Sequence, residues 1–531
     1  MARRPFCCTS IGLTIWGGYT DILEEEGNMV IKIILLVVFF AVMLGIGFYT
    51  RKHATNVGGF VLGGRAVGPW LTAFAYGTSY FSAVVFVGYA GQFGYKFGLA
   101  STWIGIGNAV IGSLIAWVVL GRRTRIMTKH LDSMTMPDFF GKRFDSKALR
   151  VAASMIAFVF LIPYTASVYN GLSNLFNMAF DIPYEVCVIG MAVLTGIYVI
   201  VGGYMATALN DFIQGIIMLI GIVAVIAAVL SGHGGFMAAI KELASVPSDA
   251  MPGAYASFFG PDPLSLFGVV ILTSLGTWGL PQMVQKFYAI KDEKAVQTGT
   301  IISTVFAIVV AGGCYFLGGF SQISGIEAAA DGSVKYDMII PTMLSSLPDI
   351  LIGIVIVLVL SASMSTLSSL VLTSSSTLTL DFIKPLFAKN MTEKKQVLCM
   401  RIFLAFFIII SVVIALDPPG FIAQLMGISW GALAGAFLAP FLYGLYMKRV
   451  TKAAVWASFF VGIGITVSNM IYPYIGSPIN AGAIAMVAGL VVVPLVSFVT
   501  PKPKKELVEG VFACLDEDVT VKRRMALPKE D

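Results

Sequence analysis

Ala362, Ser365 and Thr366 stand at i, i+3 and i+4 within Leu360-Ser-Ala-Ser-Met-Ser-Thr-Leu-Ser-Ser369, a spacing that puts them on one face of a helix. Two hydroxyls and a carbonyl on that face offer oxygens without formal charge. Such donors suit a hard monovalent cation, whereas a transition metal prefers imidazole or thiolate. Sodium is the ion this set favours. Partner oxygens are expected from Leu71-Thr-Ala-Phe-Ala-Tyr-Gly-Thr-Ser-Tyr-Phe-Ser82, where Gly77 and the hydroxyls of Thr78, Ser79, Tyr80 and Ser82 interrupt an apolar run. A third segment, Thr273-Ser-Leu-Gly-Thr-Trp-Gly-Leu-Pro281, holds two glycines and a proline. It will not support a regular helix, because proline removes a hydrogen bond and glycine adds entropy to the unfolded chain. Unwound stretches free carbonyls for a cation, and half-helix N-termini offer partial positive charge to a carboxylate. Taken singly, each segment also has a plainer reading. Small and hydroxyl residues pack membrane helices closely, and a hydroxyl can bond back to its own helix.

The elements that must position these residues follow from composition. The chain has 531 residues, 57% hydrophobic and 12% charged, with a mean hydropathy of +0.86. Soluble domains carry roughly 25% charged residues, so a soluble enzyme or a nucleic-acid binder is excluded. The six cysteines, Cys7, Cys8, Cys187, Cys314, Cys399 and Cys514, show no metal-ligand spacing. A bilayer core of about 30 Å takes about 20 apolar residues per helix. Thirteen such stretches, here spans 1 to 13, lie near 30–50, 71–95, 102–121, 149–178, 186–205, 209–231, 264–285, 297–318, 344–378, 397–416, 420–446, 453–472 and 479–499. Starting after span 1, alternate loops and the tail hold 29 of the 35 Lys and Arg residues, Lys286 counted among them. Positive loops stay cytoplasmic, which predicts an N-terminus outside and a C-terminus inside. The class is an all-α polytopic membrane protein.

Spans 2 and 7 are five apart, so spans 2–6 and 7–11 run with opposite topology. An interrupted span at the same place in two inverted halves points to a transporter's central site. The spans hold little other chemistry. Asp211, near the start of span 6, is the one acidic residue placed inside a span, and His53, His130 and His233 fall in loops. That argues against an intramembrane hydrolase, and the chain reads as a non-enzyme. The absence of G-x-x-x-x-G-K-[ST] argues against an ATP-driven pump. A channel is the rival from another class: its flux would not saturate at low solute and would not need sodium. Residues 1–28 read as a misassigned start or disordered extension, since Glu24-Glu25-Glu26-Gly27 is encodable by a purine-rich, ribosome-binding run just before Met29. A bacterial cell membrane would then be the setting. The membrane domain is expected over 29–500, with core repeats at about 71–231 and 264–446, and 501–531 as a short, mobile cytoplasmic tail.

The chain resembles the sodium:solute symporter family across essentially all thirteen spans. The residues that carry the resemblance are Leu62-Gly-Gly-Arg65, Tyr164-Thr-Ala-Ser167, Gly202-Gly203 with Asn210-Asp211-Phe-Ile-Gln214, Gly279-Leu-Pro281 with Lys286-Phe287, and Met364-Ser-Thr-Leu-Ser368. The resemblance implies an inverted-repeat (5+5) bundle, spans 2–11, with one helix before and two after. It implies a sodium site formed by the carbonyls of Thr78, Phe81 and Ala362 with the hydroxyls of Ser365 and Thr366, sodium being the coupling ion. Asp211 matches a family aspartate on the cytoplasmic exit path of the ion; the alternative is an N-cap of span 6. Proline carriers of the family have an Asp where this chain has Tyr80, and a Trp and a Tyr where it has Thr273 and Thr277. Ala208-Leu-Asn-Asp-Phe-Ile-Gln-Gly215, Gly279-Leu-Pro-Gln282 and Lys291-Asp-Glu-Lys-Ala-Val296 look closer to the pantothenate branch. A pantothenate-like or other small carboxylate solute is therefore expected, with proline or a sugar as alternatives. With no buried Arg or Lys in view, its carboxylate would lean on helix N-termini and the bound sodium. Tyr80, Phe81, Ser82, Tyr164, Thr277, Trp278 and Trp430, near the breaks, are expected to shape the pocket; packing or an interfacial belt is the alternative for each aromatic. The expected partners are the solute and the lipid bilayer, with no obligate protein partner evident.

Overall fold

The computed structural model describes residues 11–180, 183–326, 334–417, 420 and 422–526, and these are overwhelmingly helical. Large apolar side chains such as Val37, Ile220, Ile301, Phe460 and Val499 stand outward and more than half exposed, while serines, threonines and tyrosines fill the interior. Water would penalise so much exposed apolar surface; lipid does not. This is a multi-pass membrane protein.

Among the described residues, ten helices are long and apolar enough to cross a membrane, or eleven counting one bent pair. The difference from thirteen has a local cause. A continuous piece from Val84 to His130 carries the second half of span 2 together with span 3, and Tyr184–Gly232 carries spans 5 and 6. The joint in the latter is Gly203, at φ 57° and ψ −148°. That backbone favours glycine, and an added Cβ would sit 3.2 Å from the Phe60 Cα.

Span 2 is helical over Pro69–Thr78, leaves the helix over 79–82, and resumes in wide turns over Val84–Tyr89. The break thus falls just past Gly77, not on it. Gly77 serves packing instead, since a Cβ there would lie 2.4 Å from the Phe306 ring. Span 7 is the helix Pro263–Gly279, a hinge at Leu280 and a second helix Pro281–Ala289, bent by 46°. Pro281 opens the second helix, where its missing N–H costs nothing.

The packing repeats under a shift of five spans. Span 2 meets span 6 through Phe74 and Phe212 (ring centroids 5.0 Å) and span 8 through Phe74 and Phe306 (5.5 Å). Correspondingly, span 7 meets span 11, where an added Cβ on Gly276 would touch Trp430 at 2.6 Å. It meets span 3 through the bond from the Thr277 hydroxyl to the Gly112 carbonyl (3.1 Å). Likewise spans 4 and 11 pack together, as do spans 9 and 6, where an added Cβ on Gly221 would lie 2.6 Å from the Leu358 side chain. Two halves that exchange partners in this way are structural repeats.

Two edges depart from expectation. The helix of span 1 begins at Ile11, so part of the supposed N-terminal extension continues it; residues 1–10 lie outside the described residues. The tail is ordered as a helix, Lys505–Ala526, with Val508, Val511 and Phe512 buried. The Phe512 ring lies 5.0 Å from the Arg143 guanidinium, and His130 Nε2 is 2.7 Å from the Gly510 carbonyl oxygen. Its apolar stripe finds a partner surface that composition alone did not reveal. Residues 527–531 are outside the described set.

Between spans 8 and 9, Asp337 accepts a hydrogen bond from the Ile422 N–H at the start of span 11 (3.1 Å). Burial, opposed by that N–H, pushes its carboxyl up to about 6 from an ordinary 3.8. The folded state therefore holds this proton more tightly than the unfolded chain, so stability falls as pH rises between about 4 and 6. Thermal unfolding of the purified protein across that window should show the slope, and Asp337→Asn should flatten it.

Candidate functional site

Span 9 is an unbroken helix, Asp349–Thr377, whose hydroxyl face lies against the break in span 2. Ser365 Oγ donates to the carbonyls of Thr78 and Ala362, both at 3.0 Å. Thr366 Oγ1 donates to the same two oxygens at 3.2 and 3.1 Å. The chain leaves the helix after Thr78, which turns that carbonyl toward span 9. Four of the five expected oxygen donors therefore meet. Phe81, the fifth, is buried in the same break, with its N–H on the Gly77 carbonyl (3.3 Å) and its ring 4.2 Å from that of Tyr80.

One turn further along span 9, Ser369 Oγ lies 2.7 Å from Ser79 Oγ and accepts from Lys286 Nζ at 2.9 Å. Lys286 also stands 3.7 Å from Asp211 Oδ2, and its Nζ lies 5.3 Å from the Tyr204 ring centroid. Both charged residues are buried. Two expectations change here. Lys286 is not a loop residue, because the second helix of the bent pair carries the chain inward past the apolar stretch. Asp211 is not an N-cap, since it sits inside the helix that runs on from Gly203. The signal for Lys286 was present in Pro281, which restarts a helix five residues before it. A second buried acid, Asp381, stands where span 9 continues beyond its apolar stretch.

The aromatic residues divide. Tyr80 stacks on Trp430 (5.5 Å, 26°), and Tyr164 meets the same indole edge-on (5.8 Å, 83°). Tyr80 donates its phenol proton to the Thr273 carbonyl at 2.7 Å. Tyr164 Oη and Trp430 Nε1 are buried without a hydrogen-bond partner among the described residues. Thr277 and Trp278 face elsewhere: the threonine hydroxyl is on Gly112, and the indole N–H donates to the Ile111 carbonyl at 3.0 Å. Each helical residue turns about 100°, so with Gly276 facing Trp430 the next two rotate toward span 3. Ser82 accepts from the Val84 N–H at 3.1 Å and starts the second half of span 2.

Val67 and Ile290 form a parallel bridge, and Arg65 donates to the carbonyl oxygens of Tyr288 (3.2 Å) and Ser133 (2.5 Å).

The model of the sodium:solute symporter family matches residues 60–462. Similar relatives include a sodium/proline symporter of Staphylococcus aureus, 31% identical over 504 residues, covering 91% of this chain and 94% of the relative. Another is the osmoregulated proline transporter of Bacillus subtilis, 29% identical and covering 89% and 96%. Among solved structures, a Na+-coupled sialic acid symporter in a substrate-bound outward-open state superposes with a TM-score of 0.74 at 17% identity, covering 89% of this chain and 98% of that one. At that identity the likeness speaks for the fold alone. The family match spans both interrupted helices and the hydroxyl face between them, and the chain belongs to the sodium:solute symporter family.

Proposed function

We propose that this protein imports a small organic solute bearing a carboxylate, driven by sodium entering with it. The carrying observation is the meeting of Thr78, Ala362, Ser365 and Thr366 at the span 2 break. With their protons turned inward the two hydroxyls satisfy the two carbonyls. With those protons rotated outward, the same four oxygens present lone pairs to one small cation. Phe81 supplies a further carbonyl in this reading, and the departing ion passes Asp211 on its way to the cytoplasm without binding there.

Solute fits beside the break, against Tyr80, Tyr164 and Trp430, where the unpartnered phenol and indole N–H offer donors to a carboxylate. Sodium binding joins span 9 to the two halves of span 2, and the solute packs on the ordered break. Each ligand then binds better with the other present, by reciprocal linkage. The membrane potential adds about 2.3 kcal/mol per charge per 100 mV. Thirteen crossings with the C-terminus inside remain our topology, carried by the distribution of basic residues. The proline transport of the relatives supports an amino acid, while Tyr80 at the break supports a larger acid such as pantothenate.

Uptake of labelled L-proline and of labelled pantothenate into proteoliposomes tests the reading. Saturable accumulation of one of them only under an inward sodium gradient is expected. Accumulation under a proton gradient alone, or sodium-independent flux that does not saturate, would sink it.

A further inference from the structure

Lys286 occupies an unusual position. Its stem reaches in from the second helix of span 7, and its ammonium stands where Asp211 of span 6 and Ser369 of span 9 come together. Ser369 is one helical turn from Ser365, and its hydroxyl touches Ser79, the neighbour of Thr78. The acceptor site holding the ammonium is thus continuous with the oxygens assigned to sodium. Asp211 is fully buried, and neither of its carboxylate oxygens has a hydrogen-bond partner among the described residues. At 3.7 Å the lysine neutralises that carboxylate without locking to it.

A carboxylate inside a membrane bundle needs a cation close by. A lysine supplies one already held in place, with no translational freedom left to lose on binding. A mobile cation entering the same spot would also meet the repulsion of the ammonium at close range. Resting on the sodium reading above, we propose that Lys286 is a tethered cation that fills the site between Asp211 and Ser369. It keeps a second mobile cation out, and so limits the protein to one sodium ion per cycle.

Equilibrium binding of radioactive sodium to the full chain in nanodiscs tests this without any solute. Wild type should saturate at about one sodium per protein and Lys286→Gln at about two, because the freed carboxylate then takes a mobile ion. Lys286→Arg, which keeps the charge, should stay at about one. So should the neutral double variant Asp211→Asn/Lys286→Gln, which removes both the carboxylate and its counter-ion. If Lys286→Gln does not fold, wild type and the double variant can still overturn the proposal. Two sodium ions on wild type, or fewer on the double variant than on wild type, would overturn the proposal. So would a folded Lys286→Gln that binds no more sodium than wild type. Wild type that binds no sodium would instead defeat the function proposed above.

Discussion

Replacing Ser365 and Thr366 together by alanine should raise the sodium concentration for half-maximal uptake by about tenfold to a hundredfold, each lost ligand contributing about 1 kcal/mol or somewhat more. Both hydroxyls are fully buried and both reach the same pair of carbonyls. Neither loss is therefore made good by water or by the other residue. A stability effect accompanies it. The Ala362 carbonyl keeps its place in the helix ladder, but the Thr78 carbonyl at the break loses the two donors it has. A buried acceptor left unmet costs about 1–3 kcal/mol. Sodium gives a readout that separates ligand loss from general damage. A ligand that binds only the folded state raises the unfolding temperature, so wild type should be stabilised by sodium chloride relative to choline chloride. The double variant should lose that increment. Thr366→Ser keeps an oxygen at the same atom and should retain most of it. Sodium dependence and sodium-linked stability both unchanged in the double variant would remove these residues from the ion's path.

Arg150→Ala should be the most destabilising single change at this end of spans 4 and 9. Arg150 Nε lies 2.8 Å from Asp381 Oδ1, one Nη is 3.1 Å from Asp138 Oδ1, and the other donates to the Leu380 carbonyl at 3.1 Å. Thr135 Oγ1 donates to the second oxygen of Asp381. Lys142 reaches Asp138 at 3.1 Å, but nothing comparable reaches Asp381 except Arg150 among the described residues. The three charged groups line a cleft of ≈ 390 Å³ between spans 4 and 9. Removing one member of a buried pair costs about 3–5 kcal/mol, because the other charge is left uncompensated. The lower end applies here, since the arginine is a quarter exposed and the cleft admits water. Arg150→Lys keeps the charge but not the planar fork, so its loss should be intermediate. Adding Asp381→Asn to Arg150→Ala should recover much of the lost unfolding temperature. Failure of that rescue would show that the arginine acts through packing of its stem rather than through its charge.

The shared face of Ala362, Ser365 and Thr366 was legible from helical periodicity, whereas Thr78 as their partner came from the family resemblance. Glycine and proline likewise announced that span 7 would bend. Lys286 was hidden for a definite reason. Counting basic residues against apolar stretches treats every crossing as a straight rod, and a lysine just past an apolar run then reads as a loop. Once Leu280 bends the helix, the same residue turns back into the bundle. Thr277 and Trp278 face span 3 for a related reason. Nearness to a break in the chain gives no azimuth, and each helical step rotates by about 100°.

Two kinds of information therefore come from different places. Amino-acid order on its own determined that the chain lives in lipid and that uncharged oxygens line one face of span 9. These follow from transfer energies and from the fixed rotation per residue, which need no knowledge of neighbours. Which of those oxygens meet, what neutralises Asp211 and where the tail helix rests were decided only by packing. Those contacts join residues up to hundreds of positions apart, and their energies depend on distances that no local pattern encodes.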